Sequence, residues 1–371
     1  MLGSAVPMTR SLRCIVPFFA VLLLAACGGG ESSKQPDPAQ PASASSDVNA
    51  LLKTTFANVS KMHSATVDLK VQITPRGAKA ADGPVSAHLS GPFASQGADK
   101  LPKFAFTADL QSGGQTFNAG ASYDGSKAYV SLMGTPYVVS DLVTRQFVAG
   151  YEQSLKSRQT AKGGLILGSL GIDFTKWLPD AKNEGETQVG DAKTIKISGE
   201  ADVKQVIADL EKITEKASAL NLPGTGGRIP QKLTPEQKAA AEAAIKGLTV
   251  TVYTGVDDQI LRRLTVDADL QDTAAKIDAG VLLDLTFTKV GQEQTITAPS
   301  NPKPFTELLK AIDASGLANL GLGGPAPGGG TDSTVPNSSS TPNNVDKYAT
   351  CIEQANGDKA KARKCADLLT G

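Results

Sequence analysis

The residue types with the clearest chemistry in this chain are its four cysteines, and one of them, Cys27, ends a short apolar run. The run covers residues 14–26, and Arg10 and Arg13 precede it. A charged segment, an apolar segment and small residues before a cleavage point are typical of an export signal. At 13 residues the run is too short to cross about 30 Å of hydrocarbon as a helix. We therefore interpret residues 1–26 as a signal peptide rather than a transmembrane anchor.

The four residues Leu24-Ala25-Ala26-Cys27 resemble a bacterial lipobox. That resemblance implies that the thiol of Cys27 carries a diacylglyceryl group and that cleavage leaves Cys27 as the first residue. An ordinary cleavage site beside a cysteine is the alternative. Residues 28–46 are mostly Gly, Ser, Pro, Gln and Ala without a large apolar side chain, so they cannot bury enough surface to fold. We predict that residues 27–46 are a lipid-anchored tether and that the rest of the chain is extracytoplasmic.

The other two cysteines of the mature chain, Cys351 and Cys365, form a candidate disulfide in an oxidising compartment. They lie in a tail, residues 345–371, whose helical pattern is interrupted at residues 356–358. The bond would staple a helical hairpin and close a loop of about fifteen residues, which is worth roughly 3 kcal/mol by the chain-entropy estimate. The alternative is a redox or metal pair, which the absence of a nearby histidine in the sequence disfavours.

The remaining reactive residue types form no catalytic or metal-binding pattern. The two histidines, His63 and His88, are predicted at a helix end and on a polar strand face, where His88 is solvated. The sequence has no nucleophile elbow, phosphate-binding glycine loop or cluster of metal ligands. Its 37 basic and 37 acidic residues give no net positive charge that would favour nucleic-acid binding. We expect a protein that is not an enzyme and uses no cofactor, metal or nucleic acid.

The helices and strands that would position a site are predicted from the spacing of apolar residues in the sequence. Helical spacing of apolar residues predicts a first helix at about 47–62. The period then changes to two, which predicts half-buried strands joined by tight turns into an antiparallel meander. Further helices are predicted at about 141–156, 173–178, 202–220, from 234, and at 304–314. Strands are predicted at about 65–73, 85–89, 104–110, 117–123, 128–132, 137–139, 184–189, 192–199, 248–254, 260–270, 281–290 and 294–298.

Two short pairs of sequence segments give this layout a family resemblance. One is YDGSKAYV at 123–130 with GTPYV at 134–138, and the other is WLPDAKNEG at 177–185 with TIKISG at 194–199. Together with the order of lipobox, helix, strands, central helices and more strands, they resemble the LppX/LprG-like envelope lipoproteins of actinobacteria. The resemblance extends more distantly to the LolA/LolB fold.

The resemblance implies an α+β fold in which a strongly curved antiparallel sheet, a half-barrel, wraps helices within residues 47–315. In that family the concave side encloses a hydrophobic cavity for acyl chains, and no catalytic motif is carried over. Residues 316–344 are predicted to be a disordered linker. The small disulfide-stapled C-terminal helical hairpin follows it and lies outside the resemblance.

Candidate cavity residues are large apolar side chains on the strands and in the glycine-rich segment 163–171. They are Val67, Leu69, Val71, Leu89, Phe104, Phe106, Phe117, Leu165, Ile166, Leu167 and Leu170. Small residues on the same strand faces would leave volume between them. Segment 163–171 is predicted to be a mobile entrance flap, with a buried irregular connection as the alternative. The helices that begin near 141 and 202 would instead fill the space if the core is dry.

These observations predict a membrane-anchored lipoprotein that binds the acyl chains of a lipid or glycolipid, with transfer across the cell envelope as its wider role. Two alternatives stay open. A sensory or protein-binding lipoprotein would contact an envelope protein partner through its convex face or its tail. A structural envelope protein would have a filled core and bind neither.

Overall fold

One large antiparallel sheet and a few helices make up the part of the chain that the computed structural model describes, residues 47–97, 99–160, 174–219, 233–274 and 276–308 with positions 351 and 364. The helices are α1 (Val48–Asn58), α2 (Asp141–Thr160), α3 (Val203–Ala219) and α4 (Pro235–Ala244). The strands of the first half are β1 (Ser64–Pro75), β2 (Val85–Ala94), β3 (Lys103–Ser112), β4 (Gln115–Tyr123), β5 (Ala128–Leu132) and β6 (Thr135–Val138). Those of the second half are β7 (Lys182–Val189), β8 (Ala192–Glu200), β9 (Ile245–Gly255), β10 (Leu261–Asp272) and β11 (Ile277–Thr288). The predicted α+β class with an antiparallel sheet is confirmed.

The 11-stranded sheet is two meanders joined at their first and last strands. Its order is β6-β5-β4-β3-β2-β1-β11-β10-β9-β8-β7. Two-residue turns join β3 to β4, β5 to β6 and β7 to β8, whereas α3 and α4 lie between the paired strands β8 and β9. The join is non-local, because β1 pairs along its length with β11, for example Leu69 with Leu285. The sheet is therefore continuous from the first described strand to the last.

Helix α1 packs on one face of this sheet and is anchored there by polar contacts. Asp47 caps the helix by accepting hydrogen bonds from the backbone N–H groups of Asn49 and Ala50. Leu52 is fully buried in the core. The buried hydroxyl of Thr55 donates to Thr254 on β9 over 2.8 Å. The side chain of Asn58 donates to the carbonyl of Asp258 over 3.0 Å, so both ends of the helix's last turn are fixed to the β9–β10 region.

Helix α4 begins with the capping motif that its sequence contains. Thr234 and Gln237 form a complete capping box before α4, and none of the helix's described residues is buried.

In α2, Leu155 is buried and Val148 and Tyr151 pack against the core. Val143 and Phe147, which precede Tyr151 at helical spacing, are 39% and 48% exposed. The physical reason is their angular position, because they lie at the edge of the stripe centred on the other three residues.

The strand predicted at 294–298 is wrong. This segment has no strand partner, and the side chain of Gln294 instead accepts a hydrogen bond from Thr66 over 3.1 Å. Farther along, the backbone of Lys303 bonds to Pro136 and Val138 over 2.9 Å each and covers the edge of β6. The helix predicted at 173–178 is a single 3-10 turn, Phe174–Lys176. The predicted signal, tether, flap and linker lie outside the described residues.

Candidate functional site

The sheet has one face that is predominantly apolar. Successive residues of a strand point to opposite faces, and directly paired residues share a face. Leu69 on β1 is therefore flanked on this face by Leu89 on β2 and Leu285 on β11. Across β3 and β4, Phe106 pairs with Ala121 and Ala108 pairs with Ala119. We call this surface the apolar face.

Helices cover one part of the apolar face and form a dry core there. Val67 and Phe104, both candidate cavity residues, are only 3% and 6% exposed and belong to this core. Their neighbours in it include Leu51 and Leu52 of α1 and Phe287 of β11. Phe104 also stacks on Phe106, with ring centroids 5.3 Å apart. This part of the face is filled by protein side chains.

The apolar face continues beyond the core toward the β3–β4 hairpin, where most of its side chains are half-buried and Ala121 and Leu110 are exposed. Of the candidate cavity residues, Val71, Leu89, Phe106 and Phe117 lie at this intermediate burial, whereas Leu69 is buried. Four small residues lie among them, and we call these the alanine groove. They are Ala87, Ala108, Ala119 and Ala121. Their methyl side chains are smaller than the apolar residues that border them on the same face.

All seven strand candidates thus lie on the same face, as alternation predicts. Val67 and Phe104 lie in the core, Phe106 packs against it, and Leu69 is buried. Val71, Leu89 and Phe117 are half-buried beside the alanine groove. The other four candidates, Leu165, Ile166, Leu167 and Leu170, lie outside the described residues. So does Cys27, and Cys365 does as well, so the disulfide with Cys351 stays a prediction.

The opposite face of the sheet carries polar side chains that form hydrogen bonds and ion pairs with one another. Arg263 donates to Asp284 through two hydrogen bonds of 2.9 and 2.6 Å and lies 5.6 Å from the ring centroid of Tyr253. The bonds to Asp284 raise the pKa of the Arg263 guanidinium above its ordinary value. His88, predicted to be solvated, is half-buried and contacts Asp68 over 3.0 Å. The difference arises because Asp68 lies diagonally across from it on β1, which sequence spacing does not reveal.

Neither a membrane-spanning helix nor a metal centre is present in the described ranges. No helix there is both long and apolar enough to cross a bilayer. Those same residues contain no group of three or more His, Cys, Asp or Glu side chains arranged to hold a metal ion.

A buried carboxylate, Asp209 on α3, connects this helix to the chain segment around Trp177, and sequence reasoning did not identify it. It accepts hydrogen bonds from Trp177 Nε1 over 2.8 Å and from Gln205 over 3.0 Å, and from Lys212 Nζ over 2.6 Å. Its side chain is only 1% exposed. The sequence does contain one sign that Asp209 is buried: it lies three residues after Val206, within an otherwise apolar helical stripe.

Asp209 is expected to stabilise the fold in a pH-dependent way. Burial would raise its pKa, but the hydrogen bonds from Lys212, Gln205 and Trp177 prevail and hold the pKa below the ordinary value. A lowered folded-state pKa means that the contribution is complete above about pH 4 and is lost as pH falls through the folded-state value. We predict that Asp209→Ala lowers the free energy of unfolding by about 2 kcal/mol at pH 7.

Urea unfolding followed by the fluorescence of Trp177, the only tryptophan of the chain, measures this effect. Asp267→Ala, which removes an exposed carboxylate from β10, is the matched control and should change stability by less than about 0.5 kcal/mol. The difference between wild type and Asp209→Ala should shrink below pH 4. Equal losses for the two variants would show that the buried contacts do not contribute as described.

The geometry defines an α+β protein built on one open antiparallel sheet with an apolar and a polar face. The structure is similar to that of the lipoprotein LppX of Mycobacterium tuberculosis, with a TM-score of 0.32 and 12% identity, covering 67% of this chain and 97% of LppX. It is also similar to LprF of Mycobacterium bovis, with a TM-score of 0.33 and 14% identity, covering 68% and 96% of the two chains.

A third solved structure, a DUF1329 family protein from Desulfovibrio piger, matches with a TM-score of 0.19 and 9% identity over 66% of this chain and 95% of that one. No protein-family model matches the sequence, and no curated protein matches it.

Proposed function

We propose that this protein is an extracytoplasmic lipoprotein that binds the acyl chains of a lipid or glycolipid against the apolar face of its sheet. The observation that carries the proposal is the alanine groove with its half-buried apolar border, including Leu89 and Phe117. These side chains extend beyond the helix-packed core. Covering them removes apolar surface from water, which is favourable by roughly 25 cal/mol per Å².

The chemistry of the groove selects an apolar ligand. The positions of β1 to β6 that share the apolar face include no Asp, Glu, Lys or Arg. A polar ligand buried there would lose its hydrogen bonds to water without replacement, which costs several kcal/mol per group. An acyl chain has no such groups, and each buried CH₂ contributes about 0.8 kcal/mol.

The proposed shape of the site is a half-barrel. Open, twisted sheets of more than about ten strands tend to curl, and this sheet has 11. Curling toward the helices would make the apolar face concave and wrap the groove around an acyl chain. The charged and paired residues of the opposite face, such as Arg263 and Asp284, would then lie on the convex, solvated side.

Attachment to the membrane belongs to the same proposal. The lipobox-like sequence at Cys27 would supply a diacylglyceryl anchor, and stable anchoring needs more than one acyl chain. The anchored domain would then act at the outer surface of a cell membrane and pass lipid across the envelope. We propose no catalytic role, and contact with an envelope protein through the tail at 345–371 remains the alternative function.

Native mass spectrometry of the mature chain tests the proposal. Cys27→Ser removes the anchor so that the protein can be purified from a bacterial host without detergent. We expect a discrete added mass that solvent extraction identifies as a lipid with one or more acyl chains. A protein that has only its own mass, and that stays unliganded after incubation with phospholipids and fatty acids, would contradict the proposal.

A further inference from the structure

Two neighbouring hairpins of the sheet end together in an exposed, uncharged edge, in which Leu110 and Met133 flank the polar tip at 111–116. The β3–β4 hairpin contributes Leu110 and Phe117, which pair directly. The β5–β6 turn contributes Met133, whose backbone N–H donates to the carbonyl of Asn118 over 2.8 Å. Met133 is 61% exposed and Leu110 is 38% exposed. We call residues 110–117 and 132–135 the hairpin edge.

The hairpin edge carries no charge, in contrast to the other turns at that end of the strands. The sequence has no Asp, Glu, Lys or Arg from Leu110 to Tyr123 or from Ala128 to Ser140. The β1–β2 connection at the same end contains Arg76, Lys79 and Asp82, and the β10–β11 turn contains Lys276. Taking a charge out of water is costly, whereas an uncharged edge with exposed Met133 and Leu110 can lie in the headgroup region of a bilayer, where its polar tip stays hydrated.

We propose that the hairpin edge docks on the surface of a lipid bilayer. The inference rests on the proposed function and adds to it the surface through which the lipid is exchanged. Leu110 and Phe117 belong both to the hairpin edge and to the apolar face that contains the alanine groove. Docking at this edge therefore places the end of the groove against the bilayer, so that an acyl chain can pass between them without crossing water.

The length of chain that precedes the sheet permits this orientation. Cys27 and Asp47 are 20 positions apart, which spans up to about 65 Å when fully extended. Strand β1 has 12 residues and is about 40 Å long. A lipid-anchored Cys27 therefore allows either end of the strands to reach the membrane surface, and the uncharged apolar edge decides which end does so.

Flotation with lipid vesicles tests the docking surface. The full mature chain with Cys27→Ser would be mixed with phosphatidylcholine vesicles, with and without phosphatidylglycerol. Because the hairpin edge is uncharged, we expect partitioning that hardly changes with anionic lipid or with salt. The double variant Leu110→Asp/Met133→Asp should partition at least about tenfold more weakly. Aspartate tolerates the positive φ of 49° at Met133, so the turn should be retained.

Leu282→Asp is the matched control, because Leu282 is 44% exposed and lies on the polar face of β11. It should partition like wild type. A wild-type chain that does not float, a double variant that floats equally, or an equal loss in Leu282→Asp would overturn the docking surface. Burial of this edge by a second copy, seen as a dimer that the double variant abolishes, would also overturn it. Native mass spectra of the same samples report copurified lipid, so a docking failure with lipid still bound leaves the proposed function standing.

Discussion

Replacing Ala108 and Ala119 together with tryptophan is expected to abolish acyl-chain binding while the fold is retained. The two methyl groups are directly paired on the apolar face, at the centre of the alanine groove. Two indole rings at these half-buried positions would occupy the space in which we propose that the ligand lies. Affinity for a fluorescent fatty acid should fall by at least about 100-fold, which corresponds to roughly 2.7 kcal/mol.

The matched control for this variant is Thr107→Trp. Thr107 is exposed and lies on the opposite face of the same strand, β3. It should bind the fatty acid as the wild type does, and far-ultraviolet circular dichroism should be the same for all three proteins. Undiminished binding by the double variant would place the ligand elsewhere and remove the alanine groove from the proposal.

Replacing Gly91 with alanine is expected to destabilise the protein by about 3 kcal/mol or more. Gly91 lies within β2 with a φ of 147°, a conformation that other residues rarely adopt. An added Cβ would lie 2.0 Å from the carbonyl oxygen of Ala105 on β3. Because that atom belongs to the backbone of a central strand, relief requires the two strands to separate.

Urea unfolding measures the loss, with Gly113→Asn as the control. Gly113 has a φ of 57° in the β3–β4 turn, and a Cβ there would meet no atom within 4 Å. Asparagine tolerates this conformation, so the control should lose less than about 1 kcal/mol. A loss of that small size for Gly91→Ala would mean that β2 and β3 adjust more easily than the structure indicates.

The local elements of the fold could be predicted because their causes are local. The alternation through Val67, Leu69 and Val71 predicts β1, and the capping box at Thr234 and Gln237 predicts the start of α4. The pairing of β1 with β11 could not be predicted, since it joins residues more than 200 positions apart. The strand predicted at 294–298 fails for a related reason, because alternation alone does not supply a pairing partner.

The composition of the candidate site was partly predictable for the same reason. Because successive strand residues alternate between the two faces, Leu69, Leu89 and Phe117 lie on one face once the strands pair. The division between the dry core and the groove depends on where the helices lie, which strand periodicity does not contain. Asp209 was missed because Trp177, one of its three hydrogen-bond partners, lies in another segment of the chain.

Photoaffinity labelling with a fatty acid that carries a diazirine along its acyl chain tests the central claim most directly. After irradiation, proteolysis and mass spectrometry identify the labelled residues. We predict adducts on the half-buried residues of the apolar face in β2 to β4, among them Leu89, Ala108 and Phe117, and their loss when unlabelled lipid competes. Competable adducts confined to the polar face, at residues such as Thr107 or Leu282, would contradict the assignment of this face as the lipid-binding site.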